Sequence, residues 1–187
     1  ELQGLGYRFR SHSDTEVILA AYDAWGPGCL PRFNGMWAFA IIDCHQQRVF
    51  IARDRFGVKP LYYYQRDGLF VFASEIKAIV AHPEVETAPD LAYAQDYLAH
   101  GAHVDGARTA FANVQRFPAA SYVECPLHAL LDQPLAPRVF WSVAPNTSNE
   151  AFNEAKASLL AQQYYDLLED AVRLRLRADV KVGSALS

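Results

Sequence analysis

The stretch FNGMWAFAIIDCHQQRVFIARDRFGVKPLYYYQRDGLFVFAS, residues 33–74, decides the fold. It holds four apolar runs, MWAFAIID, RVFIAR, LYYYQ and LFVFAS. Each is rich in aromatic and β-branched residues, which suit a pleated, half-buried surface. CHQQ joins the first two runs as a polar turn. Arg66, Asp67 and Gly68 join the last two, and Asp-Gly supplies the positive-φ residues of a tight hairpin. Between the pairs, RFGVKP breaks the pattern with Gly57 and Pro60. The spacing therefore predicts two antiparallel hairpins joined by a sharp corner.

Outward from this sheet the pattern turns helical. In SDTEVILAAYDAWG, Ser13 and Glu16 have capping-box spacing, and Ile18, Ala21, Tyr22 and Trp25 form a stripe closed by Gly26. This predicts a helix over 14–25. After the sheet, Ser74 is expected to cap EIKAIVAH, which Pro83 ends. Asp90 is expected to cap LAYAQDYLAH, closed by Gly101. Residues 102–145 read as irregular, with short strand candidates at Ala120–Glu124 and Arg138–Ser142. APNTSNE reads as a linker. A helical pattern then runs from Glu150 to Arg177 without Gly or Pro, and DVKVGSALS reads as a strand entering a small-residue turn. A strand introduced by a helix opens an α/β unit. The expected division is a domain over 1–145 and a second segment over 146–187.

The 17 Lys and Arg residues against 21 Asp and Glu give a net charge of −4, with the signs interspersed. No basic patch argues for nucleic acid, and no apolar run is long enough to span a membrane. Cys29, Cys44 and Cys125 are widely spaced and form no metal or disulfide pattern, so a reducing, cytoplasmic setting is expected. The first residue is Glu1 and no signal peptide follows, so a piece of a longer protein is expected.

Several stretches carry a resemblance. FNGMWAFAIID, RDRFGVKPLYY and FASEIKA, in this order and spacing, resemble the glutaminase domain of glutamine-hydrolysing asparagine synthetases. SDTEV resembles that family's glutamine-pocket segment. LLEDAVRLRLRADVKVGSALS resembles the lead into its synthetase domain, where the family continues into a pyrophosphate-binding loop. The resemblance implies an α+β fold: an Ntn-hydrolase-type α/β/β/α sandwich, incomplete, then a helix and the first strand of an α/β synthetase domain. It implies a ligase that takes ammonia from glutamine and amidates aspartate with ATP and Mg2+. Small-molecule partners would be glutamine, aspartate and ATP, with a homodimer left open.

At residue level the resemblance makes Asp14 the acceptor for the glutamine α-ammonium. A carboxylate suits that role through charge-assisted hydrogen bonds, and a helix N-terminus keeps it ionised. The competing reading is a helix-start acid that binds nothing. The family's nucleophile is an N-terminal Cys. Glu1 cannot serve, and the three internal cysteines match no family catalytic position, so no catalytic residue is expected in this chain and no glutaminase activity of its own. Asn34-Gly35 belongs to the strand start rather than to the family's Asn-Gly pair. Arg53, Asp54, Gly57 and Lys59 read first as a buried structural corner and second as a domain interface along which ammonia passes. Leu186 and Ser187 correspond to the edge of the ATP site, without the loop that would complete it. Two other functions compete: a different amide ligase of the same plan, such as a β-lactam-forming relative, and a non-catalytic interaction module built on the sandwich.

Overall fold

The computed structural model describes residues 1–101, 106–145, 153–178 and 180–183. In chain order the elements are α1 (Asp14–Trp25), β1 (Ala38–Asp43), β2 (Arg48–Arg53), β3 (Tyr62–Arg66), β4 (Leu69–Ala73), α2 (Ile76–Val80), α3 (Leu91–His100), β5 (Val114–Arg116), β6 (Ser121–Pro126), α4 (Ala129–Asp132), β7 (Arg138–Val139) and α5 (Glu154–Arg175). Single 3-10 segments at Leu2–Leu5 and Gly26–Arg32 flank α1. The chain divides into two compact units, Glu1–Val143 and Ala144–Ser187.

In the first unit both hairpins form. β1 pairs with β2 in the register Ala40↔Ile51, and Asp43 Oδ1 closes their turn by accepting from the N–H groups of His45 and Gln46 at 2.9 and 2.8 Å. β3 pairs with β4 in the register Tyr64↔Val71. Their two-residue turn has φ of 53° at Asp67 and 77° at Gly68, the left-handed values that twist a hairpin correctly. The hairpins belong to different antiparallel sheets, ordered β1-β2-β6-β7 and β4-β3-β5.

Three apolar cores show how the layers stack. Strand side chains alternate between faces, so β2 feeds two cores. Val49 and Ile51 join Leu61, Tyr63, Phe117 and Val123 between the sheets. Phe50 and Ala52 point the other way, onto Ala21 of α1 and onto Cys29 and Leu30. On the far side of the second sheet, Tyr64 and Val114 meet Ile79 of α2 and Val85. Helix, sheet, sheet and helix are thus packed in that order.

Helix α1 is tied down by its body. Tyr22 stacks on Phe50 with centroids 4.6 Å apart, and its hydroxyl donates to Glu124 at 2.8 Å. Its N-terminus differs from a simple capping box. Ser13 Oγ accepts from the N–H of Thr15. Glu16 reaches past Ser13 to accept from the N–H groups of Arg10 and Ser11 and from the Ser11 hydroxyl. The chain before the helix folds back far enough to offer nearer donors.

Several boundaries moved. The N-cap of α2 is Glu75 rather than Ser74, because the chain stays extended one residue longer after β4. Glu75 and Lys77 form an exposed ion pair at 2.7 Å. Asp90 caps α3 by accepting from the N–H of Tyr93, and the Arg108 guanidinium beside it holds its carboxyl down at about 2. Within the stretch read as irregular, β5 completes the second sheet by pairing with β3.

In the second unit, α5 starts at the Asn153 cap, whose side chain accepts from the N–H of Lys156 at 3.0 Å, and ends at Arg175. Arg173 pairs with Asp170, and Arg175 donates to the carbonyl of Ala171. Val180–Gly183, expected as a strand, is not one. A strand needs a neighbour to take its backbone hydrogen bonds, and none stands beside it among the described residues.

Candidate functional site

Helix α1 enters from an exposed segment, and its first residue is Asp14. The carboxylate of Asp14 makes no hydrogen bond or ion pair among the described residues. It lies on the wall of a cavity of about 290 Å3, with Val17 and Ile18 from the same helix and Phe33, Met36 and Trp37 from the approach to β1. Arg32 lines the same cavity. Its guanidinium pairs with Glu1 at 2.6 Å and lies 4.3 Å above the Trp25 ring, so it is oriented rather than loose. Asn34 and Gly35, set aside in the sequence as a strand start, also line this cavity.

The cavity therefore presents one free carboxylate, one held guanidinium and an apolar wall. Asp14 also benefits from the positive end of the α1 dipole. The wall is stiffened by aromatic contacts: Trp37 stacks on Phe140 at 5.8 Å and meets Phe33 edge-on at 5.8 Å. The Trp37 Nε1 is closed from solvent and has no hydrogen-bond partner among the described residues.

Arg53, Asp54, Gly57 and Lys59 sit elsewhere, at the corner after β2. Asp54 is 1% exposed. Its carboxylate accepts from the backbone N–H groups of Trp37, Phe56, Val58 and Lys59 at 3.0 to 3.2 Å. Burial alone would raise its pKa, but these four donors outweigh it and hold the carboxyl below the usual range. Arg53 runs the complementary pattern, donating to the backbone carbonyls of Lys59, Phe117 and Gly57. Gly57 has φ of 62°, and a Cβ there would lie 3.0 Å from the Arg53 guanidinium carbon. Lys59 takes part through its backbone while its side chain is exposed. Asp54 also joins this corner to the Asp14 cavity, since Trp37 donates to it and lines that cavity.

None of the three cysteines lines the Asp14 cavity. Cys29 is buried in the core under α1, and burial pushes its thiol up to about 11. Burial also raises the Cys125 thiol, while Cys44 is exposed in the β1–β2 turn. Leu186 and Ser187 lie outside the described residues. Among the described residues no group of His, Cys, Asp and Glu is arranged to hold a metal ion, and no helix is long and apolar enough to cross a membrane.

A glutamine amidotransferase domain matches residues 1–135 of the sequence. The chain belongs to that family. It is also similar along its whole length to "Asparagine synthetase [glutamine-hydrolyzing] 3" of Bacillus subtilis, at 32% identity over 189 residues covering 100% of this chain and 29% of the relative. "Putative asparagine synthetase [glutamine-hydrolyzing] 2" of Methanocaldococcus jannaschii is 33% identical over 177 residues, covering 94% of this chain and 33% of the relative. "Amidase chyE" of Penicillium rubens is 30% identical over 191 residues, covering 97% and 25%. The chain thus spans between a quarter and a third of the length of these relatives.

As an amidotransferase domain, the molecule places its two conspicuous aspartates in different settings. Asp14 is free on a cavity wall, while Asp54 is locked into the backbone of a corner. Sequence reasoning singled out Asp14 but not Arg32 and Trp37, which line the same cavity. Their nearness to the Ser13–Asp14 helix start depends on how the 3-10 segment Gly26–Arg32 turns the chain back.

Proposed function

We propose that this chain is the glutamine-binding part of an amide-forming ligase of the asparagine synthetase type, and that Asp14 receives the α-ammonium of glutamine. The observation that carries this reading is the unpaired Asp14 carboxylate on the wall of a small cavity, in a chain of the glutamine amidotransferase family. An ammonium entering the cavity would gain charge-assisted hydrogen bonds. Phe33, Met36 and Trp37 supply an apolar surface for the aliphatic stem of the side chain.

The nucleophile that attacks the carboxamide is none of Cys29, Cys44 and Cys125. A thiol held up to about 11 is almost wholly protonated near neutrality, which rules against Cys29 as an attacking thiolate. The other two lie outside the Asp14 cavity. The 187-residue chain by itself should therefore release no ammonia from glutamine.

Aspartate, ATP and Mg2+ belong to this reading as substrates and cofactor of the longer protein, which would act in the cytoplasm, with Leu186 and Ser187 at the edge of the ATP site. The described residues hold no part of the expected ATP loop.

The test is Asp14→Asn in the full-length protein, with glutamine-dependent and ammonia-dependent product formation measured side by side. Glutamine-dependent turnover should show a KM raised by about tenfold or more, the scale of one lost charge-assisted bond, while ammonia-dependent turnover persists. An unchanged KM for glutamine would overturn the role of Asp14. Ammonia release by the 187-residue chain would overturn the exclusion of its cysteines.

A further inference from the structure

A second cavity, of about 700 Å3, opens beside the corner after β2. Among the described residues its lining includes two guanidinium groups and no carboxylate: Arg53 from β2 and Arg116 from β5, with Tyr62, Phe117 and Gly57. Arg53 is 5% exposed, and three of its five N–H groups donate to backbone carbonyls, which leaves two. Arg116 is half-buried, and its guanidinium has no hydrogen-bond or ion-pair partner among the described residues. One of the carbonyls that Arg53 holds belongs to Phe117, the residue after Arg116, so the two strands bring both arginines to one place. β5 is fixed there by its register with β3, Tyr62↔Arg116.

Two like charges on one wall repel, and burial makes the repulsion stronger. Asp54, next to Arg53 in the chain, relieves part of this, and its charge acts on Arg53 more strongly than that of Arg116. Both its oxygens are occupied by four backbone donors, and it forms no ion pair with either arginine among the described residues. Burial first, and the Arg116 charge least, lower the Arg53 pKa, while Asp54 and Tyr62 act the other way. Phe56 and Val58, 71% and 52% exposed, add apolar surface to the cavity rim.

We propose that this cavity binds a small oxyanion, a phosphate or carboxylate group, between the unused N–H groups of Arg53 and the guanidinium of Arg116. Arg53 is the fixed half of the site, because its side chain is held by three backbone carbonyls. Arg116 is the adjustable half and closes on the anion. A planar fork of donors suits two oxygens of one phosphate or carboxylate. The site is separate from the Asp14 cavity and independent of the glutamine reading.

The test is a calorimetric titration of the 187-residue chain at constant ionic strength, with inorganic phosphate in one arm and acetate in the other. Saturable millimolar binding in either arm supports the site, and the tighter arm names the source of the oxyanion. Arg116→Met should weaken that binding by about tenfold or more, the worth of one charge-assisted pair. Arg116→Lys should keep part of it, and Arg173→Met on α5 should leave it unchanged. Circular dichroism of each variant separates lost binding from lost folding. No saturable binding in either arm, or binding by a folded Arg116→Met as tight as by the unaltered chain, would overturn the proposal.

Discussion

Asp54 and Asp14 are the same side chain in two opposite employments. At the corner after β2, Asp54 is enclosed and meets four backbone donors, so folding uses its whole charge. At the start of α1, Asp14 is exposed and meets none among the described residues. The difference teaches where a ligand can act. A carboxylate already satisfied by the chain has nothing left for a substrate, while an unsatisfied one on a cavity wall has its full capacity. Glu16, two residues from Asp14, sharpens the point, because it is engaged by Arg10 and Ser11 and so leaves Asp14 alone.

The comparison breaks most easily at Asp54. Asp54→Ala leaves four backbone N–H groups without their acceptor, and should lower the unfolding free energy by about 3 to 5 kcal/mol, measured by urea denaturation. A loss under about 1 kcal/mol would make the corner ornamental. The same carboxylate predicts the acid limb of stability. Its folded pKa is lowered, so its contribution is present above the unfolded value of about 3.9 and is lost as pH falls through the folded value. The urea midpoint should therefore fall steeply below about pH 4.

Gly57→Ala comes next. A side chain at φ of 62°, with its Cβ 3.0 Å from the Arg53 guanidinium carbon and 3.2 Å from Ala119 Cβ, should cost about 1 to 3 kcal/mol. Retained stability would mean that the corner can relax, and that the fixed geometry of Arg53 is not fixed. Tyr22→Phe probes the other region. It keeps the stack on Phe50 and removes the bond to Glu124, so a loss of about 1 kcal/mol is expected. That would show α1 to be anchored through its body, which frees its first turn for a ligand. The smallest effect is expected at Asp14 itself: Asp14→Asn should lower the unfolding free energy by no more than about 0.5 kcal/mol, the worth of an exposed charge at a helix start. A clear drop would mean that Asp14 serves the fold after all.

What the sequence disclosed follows the range of the forces involved. The hairpins were legible because Asp67-Gly68 and the alternation along β2 are local signals. So were α1 and α3, whose caps lie within a few residues of their partners. β5 was not legible, because three residues, Val-Gln-Arg, carry no period, and their strand exists only through β3 some 50 positions earlier, Tyr64↔Val114. The order β2-β6-β7 has the same origin. Asp14 stands out through its motif, whereas the place of Arg32 depends on a 3-10 turn with two prolines and that of Arg116 on a strand without a local signal. Lys59, grouped with this corner in the sequence, enters it through its backbone.

The alternation of β2 has one more consequence. Val49 and Ile51 fill one core while Phe50 and Ala52 fill another. Inserting or deleting a residue within this strand would exchange the two sets, sending a phenyl ring between the sheets and isoleucine or valine under α1. The same change in the turn Cys44–Gln47 would be absorbed at one end of a hairpin. Length variation among descendants of this chain should therefore collect in that turn and be missing from Arg48–Arg53, a strand with no slack on either face.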